Sequence, residues 1–157
     1  MQRKRKRKPR PLTKSEQMAR VRSVDTGPEM ALRRALWRVG LRYRVRPRIP
    51  GRPDLAFVGS KIAVFVDGCF WHGCPDHYKA SATNVAFWSE KISRNRQRDR
   101  EVEIALAKRG WTVLRYWEHE VEGGLALVVD RIQAAVVRAR KDSVCQTRDA
   151  AAQPKSE

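Results

Sequence analysis

The chain has 157 residues, with 34 Lys and Arg against 17 Asp and Glu for a formal charge of +17. This length suits one domain with a real core, and the longest apolar runs, Ile62 to Val66 and Leu125 to Val129, fall far short of the roughly 20 residues of a membrane-crossing helix. No apolar segment follows the basic N-terminus, so no secretory signal is read; the expected location is the cytoplasm, where the three Cys stay reduced and free for metal or core roles.

Residues 1–14 hold eight basic residues and no acidic one, which predicts a disordered basic arm over 1–13, read either as a solvated tail or as a phosphate-contacting segment. The remaining +9 on residues 15–157 makes the folded part basic as well. A polyanion is therefore the leading partner, since each Lys or Arg placed on a phosphate releases counterions.

Thr26-Gly27-Pro28-Glu29 predicts a capped helix with Leu32, Leu36 and Val39 on one face, stopping at Gly40. Leu41 to Arg46 alternates apolar and basic residues like a half-exposed strand. After a Pro- and Gly-rich loop, Asp54 to Val58 and Lys61 to Val66 predict a hairpin around a two-residue Gly59-Ser60 turn. The second run is apolar enough for a central strand. A loop rich in Gly, Cys and His precedes a long helix from about Asn84 to Lys108, whose seam is Trp88, Ile92, Asn95, Asp99, Val102 and Leu106. A strand from Trp111 to Tyr116 and a helix from about Gly124 to Arg140, carrying Leu127, Val128, Ile132 and Val136, complete the order, with a polar tail over 141–157. The order α-β-β-β-α-β-α argues one α/β domain over 14–140 with a mixed sheet flanked by helices.

The residues able to do chemistry are concentrated. Cys69, Cys74, His77 and the distant His119 supply four soft or borderline ligands for tetrahedral Zn²⁺, against the alternative of buried Cys beside surface His. His72 is then left over as a candidate base. Asp54 begins a strand, where it serves either chemistry or a turn cap. Asp99 lies in the helix seam, where a carboxylate needs a partner, either an Arg or an imidazole to orient. Glu29 is half of a capping box or a first-helix acid at the site. Together Asp54, His72, Asp99 and Glu29 suggest metal-assisted phosphodiester chemistry, for which Mg²⁺ with oxygen ligands suits.

Gly51-Arg52-Pro53-Asp54, then Gly68-Cys69-Phe70-Trp71-His72-Gly73, Thr83-Asn84 to Phe87-Trp88, Lys91-Ile92 with Asn95 and Arg98-Asp99, and Gly110-Trp111 to Trp117-Glu118 resemble, in order and spacing, the very-short-patch-repair (Vsr) DNA mismatch endonucleases. The resemblance runs from about Lys14 to Glu120. It implies a restriction-endonuclease-like fold with a structural Zn²⁺ that uses Mg²⁺ to nick duplex DNA 5′ to the thymine of a T·G mismatch. Asp54 matches the metal-binding Asp, Val66 the position lending a main-chain carbonyl to the metal, and His72 the catalytic His. Asp99 matches its associated acid and Glu29 the first-helix acid. Phe70, Trp71, Trp88 and Met18 match side chains that wedge into the base stack, where a mispaired step is cheaper to open.

The chain departs from the family pattern at Asp67, where His is common, in the mix of Cys and His in the zinc set, and in its basic arm. Asp67 is read as an added metal ligand or a turn cap, and Cys145 has no assigned role. The expected state is a monomer, with DNA-repair proteins as candidate partners and no membrane. The alternatives are a restriction-type nuclease without mismatch preference and a non-catalytic zinc-containing DNA-binding protein.

Overall fold

The computed structural model describes Arg10 and residues 24–151, with side chains to residue 142. Met18, the rest of the basic arm and the Cys145 side chain lie outside it. Helix α1 spans Gly27–Arg38, with the Thr26 hydroxyl accepting the Glu29 N–H at 3.5 Å. It closes with Gly40 at φ +81°, while the N–H groups of Gly40 and Leu41 donate to the carbonyls of Trp37 and Leu36. This paired closure satisfies the last carbonyls and carries an apolar residue beneath the helix end. Leu41, 6% exposed, is that residue. It therefore ends the helix instead of starting a strand, Val39 is left exposed, and β1 shrinks to Arg44–Val45.

Strands β2 (Leu55–Phe57) and β3 (Ile62–Asp67) pair antiparallel, with Phe57 opposite Ile62. Their connection is a 3₁₀ turn over Val58–Ser60 followed by Lys61 at φ +47°, not the expected two-residue turn. A two-residue turn there would need positive φ at Gly59, whereas here the Lys61 N–H donates to the Val58 carbonyl at 3.1 Å and Lys61 is the left-handed residue of the connection.

Helix α2 (Val85–Ala107) then crosses over to β4 (Thr112–Trp117), parallel to β3, giving the sheet order β1-β2-β3-β4. The result is a small α/β domain with a mixed four-stranded sheet, as expected from the element order. Helix α3 (Glu118–Ala151) starts directly after β4, bends at Gly124, and runs past the expected end at Arg140.

The alternation of β3 divides the core into two layers. Ile62 and Val64 pack with Leu32 and Leu36 of α1 and Val128, Val129, Ile132 and Val136 of α3. Ala63 and Phe65 face the other way, against Val102 and Leu106 of α2. Leu127, placed on the core face by the sequence, is 55% exposed, and Val129 takes its place. No helix among the described residues is long and apolar enough to cross a membrane.

Gly51 locks the loop before β2 against α2. It sits at φ +73°, and a Cβ there would lie 2.3 Å from Val102 Cγ1. Gly51→Ala is expected to cost about 1–3 kcal/mol through the clash and the left-handed backbone, lowering the melting temperature by roughly 5 °C. Gly59→Ala, whose Cβ would meet nothing within 4 Å, is the control, and equal melting of the two variants would refute this locking contact.

Candidate active site and metal centre

The fold gathers one acid or base from each of several elements around a cavity of about 500 Å³. Asp54 precedes β2, and its Oδ2 accepts the Val66 N–H of β3 at 2.7 Å. Burial, helped by the charge of Glu29, pushes the Asp54 carboxyl up to about 6 against the lowering effect of the Val66 N–H. A buried carboxylate held above its ordinary range is stabilised in its charged form by a nearby cation. Arg52 and Arg98 also line the cavity.

His72 comes from the loop after β3, and its Nδ1 lies 2.6 Å from Asp99 Oδ2 on α2. The other oxygen of Asp99 pairs with Arg115 Nη2 at 2.9 Å. Both partners of Asp99 weighed from the sequence are thus present together. Burial raises the Asp99 carboxyl, but the His72 hydrogen bond and the charges of His72, Arg115 and Arg98 outweigh it and hold the group below its usual range. Asp67 neither caps a turn nor stands free. It receives Arg115 Nε at 2.7 Å and Nη2 at 3.3 Å, and burial raises its carboxyl.

Glu29 lines the same cavity but is fully engaged at 3% exposure. Its oxygens accept the Thr26 hydroxyl at 3.0 Å, the Asp25 N–H at 3.0 Å and Arg33 Nη2 at 3.1 Å. Arg33 also donates to the Asp54 carbonyl at 3.5 Å, so the helix cap is tied to the residue that leads into β2.

The four Cys and His side chains meet on the side reached by the ends of β3 and β4. The donor atoms of Cys69, Cys74, His77 and His119 all lie within 4.8 Å of one another. His119 Nδ1 is 3.1 Å from Cys69 Sγ and 3.7 Å from Cys74 Sγ, and His77 Nδ1 is 3.9 Å from Cys74 Sγ. A tetrahedral ion with bonds of about 2.0–2.3 Å has ligand separations of about 3.3–3.8 Å, so two sulfurs and two nitrogens so placed fit a closed metal site. Outer contacts support it, as such ligands require: Glu118 accepts the Cys69 N–H at 2.8 Å, and Asp76 lies 4.0 Å from His119 Nε2.

Between these two sites, Phe70, Trp71 and Trp88 form an aromatic cluster with ring centroids 5.1–5.8 Å apart. Lys91 Nζ stands 5.3 Å from the Trp71 ring. Helix α2 pins the loop from below: Asn95 donates to the Trp71 carbonyl at 2.8 Å, and Arg96 Nε to the His72 carbonyl at 3.0 Å. Gly73 makes this approach possible, since a Cβ there would lie 2.7 Å from Arg96 Nη2.

Sequence reasoning missed Arg115, Arg33 and Glu118. A signal existed for the first, because Arg115 is the sole charged residue in the run from Trp111 to Trp117. Arg33 and Glu118 lay among many charged helical residues and carried no distinguishing mark.

The family model described as DNA mismatch endonuclease Vsr matches residues 8–79. A type II nicking enzyme of Lentzea aerocolonigenes, V.NaeI, is 45% identical over 79% of this chain and 80% of its own length. Another, V.NmeDIP of Neisseria meningitidis serogroup C, is 43% identical over 82% of this chain and 88% of its own length. The DNA mismatch endonuclease Vsr of Escherichia coli K12 is 38% identical over 71% and 72% respectively.

Proposed function

The chain belongs to the Vsr family of DNA endonucleases, and from that premise we propose that it nicks duplex DNA on the 5′ side of the thymine in a T·G mismatch. The observation carrying this reading is the adjacency of Phe70 and Trp71 to His72, with His72 Nδ1 on Asp99 and the Asp54 carboxylate in the same cavity. The nicking enzymes and endonucleases among its relatives weigh against the non-catalytic alternative.

With Nδ1 engaged by Asp99, the imidazole of His72 presents Nε2 to take a proton from the attacking water. Asp54 and the Val66 main-chain carbonyl would hold Mg²⁺, which the carboxylate-lined cavity suits. Bound there, the ion supplies Lewis-acid charge for the phosphoryl and leaving oxygens. The Cys69, Cys74, His77 and His119 set is assigned to structural Zn²⁺. A domain over 14–140, with the basic arm adding phosphate contacts, completes the reading.

Incubating the protein and Mg²⁺ with T·G and fully paired duplexes, and mapping the nicked strand, tests the proposal. Nicking confined to the thymine strand of the mismatch is expected. Equal cleavage of paired duplex would favour the restriction-type alternative.

Mismatch preference is assigned to the aromatic cluster. Removing a stacked aromatic costs about 1–3 kcal/mol, and a paired step is dearer to open than a mispaired one. Trp71→Ala should therefore weaken binding to T·G duplex about tenfold or more while barely changing affinity for paired duplex. Equal weakening on both, read by equilibrium binding, would reject the wedge.

A further inference from the structure

We propose that Arg115 is a positioning residue that commits His72 to Asp99 by withholding Asp67 from it. The inference rests on the reading of His72 as the base. Two carboxylates from different elements stand near the same nitrogen: Asp99 Oδ2 on α2 at 2.6 Å from His72 Nδ1, and Asp67 Oδ1 at the end of β3 at 3.9 Å. An imidazole has one Nδ1–H and can satisfy one of them at a time. Which one it chooses sets the direction of Nε2, and with it the point at which a water can lose its proton.

Arg115 resolves the competition through its planar fork. Nε and Nη2 donate to Asp67 Oδ2 and Oδ1 at 2.7 and 3.3 Å, so both oxygens of the competitor are held on the guanidinium and Oδ1 stays 3.9 Å from His72 Nδ1. Nη2 also pairs with Asp99 Oδ1 at 2.9 Å, which turns the remaining oxygen, Oδ2, to His72. Nη1 reaches Glu103 at 3.4 Å, and the guanidinium lies 4.7 Å from the centre of the Phe65 ring, so the fork is fixed from further sides. A Lys ammonium would supply the charge but could not bridge these carboxylates in one plane. With Asp67 released, the imidazole can swing from helix to strand, and a misplacement of about 1 Å costs up to about 10²-fold in rate.

The test is single-turnover nicking, with duplex affinity and thermal melting, for Arg115→Lys alone and combined with Asp67→Ala. Arg115→Lys should melt close to the native protein, bind duplex within about threefold, and nick about 10–100-fold more slowly. Adding Asp67→Ala removes the competing acceptor, so the double variant should regain at least about tenfold over Arg115→Lys by the same geometric argument. Arg115→Gln gives a neutral removal of the fork, and the same rescue is required of it. Native-like nicking by Arg115→Lys, a loss residing in affinity alone, or no rescue by Asp67→Ala in either background would overturn the proposal. The substrate is whichever duplex the native protein cuts best, so a failed mismatch preference leaves the test intact. His72→Ala is run beside it, and nicking by that variant at the native rate would refute the base assignment itself.

Discussion

Asp54→Asn is expected to reduce single-turnover nicking by about 10³-fold or more while raising the melting temperature of the metal-free protein. The first effect follows from removing the charged oxygen assigned to Mg²⁺, because 10³-fold corresponds to about 4 kcal/mol, within the several kcal/mol a Lewis-acid cation supplies. The second follows from the carboxyl's position at about 6, above its ordinary 3.8. A carboxyl raised by folding is charged at a cost: the penalty is full above about pH 6 and disappears as pH falls below about 4. Two pH units correspond to an upper bound of about 3 kcal/mol at neutral pH. Asn keeps an oxygen for the Val66 N–H and carries no charge. Its advantage should therefore be large at pH 7, small at pH 4.5, and reduced by Mg²⁺, whose apparent affinity for the native protein should fall as pH drops below 6. Melting and nicking of both proteins check this, and a lower melting temperature for the Asn variant at pH 7 would contradict the account.

Withdrawal of metal from the Cys69, Cys74, His77 and His119 cluster is expected to unfold the protein or release the loop over 68–78. Structural Zn²⁺ contributes about 10–16 kcal/mol in small peptides at neutral pH, which matches or exceeds the roughly 5–15 kcal/mol stability of a whole domain. Purified protein should contain about one Zn²⁺ per chain. Strong chelation should inactivate it in a way that added Mg²⁺ alone does not reverse. Cys74→Ala, at a side chain 1% exposed, should behave like the chelated protein. An absence of zinc, or melting indifferent to both treatments, would reject the assignment.

The readable features were those written in periodicity and in local chemistry. The apolar run of β3 appears at the centre of the sheet, and the seam of α2, with Asn95 and Asp99 among apolar residues, faces inward as spaced. Asp99 meets His72, and the four Cys and His donors converge although His119 lies 50 residues from Cys69. What escaped depends on tertiary competition. Leu41 has the pattern of a strand residue, but the end of α1 claims it. Leu127 differs for a local reason: at about 100° per residue it is Val129, not Leu127, that shares the face of Ile132 and Val136. The joint pairing of Arg115 with Asp67 and Asp99 depends on how β3, β4 and α2 come together, and no short window contains it.

The cluster of Cys69, Cys74, His77 and His119 also bears on how quickly this chain can fold. It joins the segment after β3 to the start of α3, across a span of 50 residues containing the whole α2 crossover. Closing a loop of that length costs about 3.5 kcal/mol of chain entropy beyond a constant, and contacts so distant in sequence are the slow ones. The parallel β3–β4 pairing needs this closure. An ion caught by Cys69, Cys74 and His77 and then joined by His119 would hold the two strand ends together before their ladder is complete. Metal supply during synthesis would thus govern how long the apolar edge of β3 waits for its partner, which is the interval in which unpaired strands aggregate.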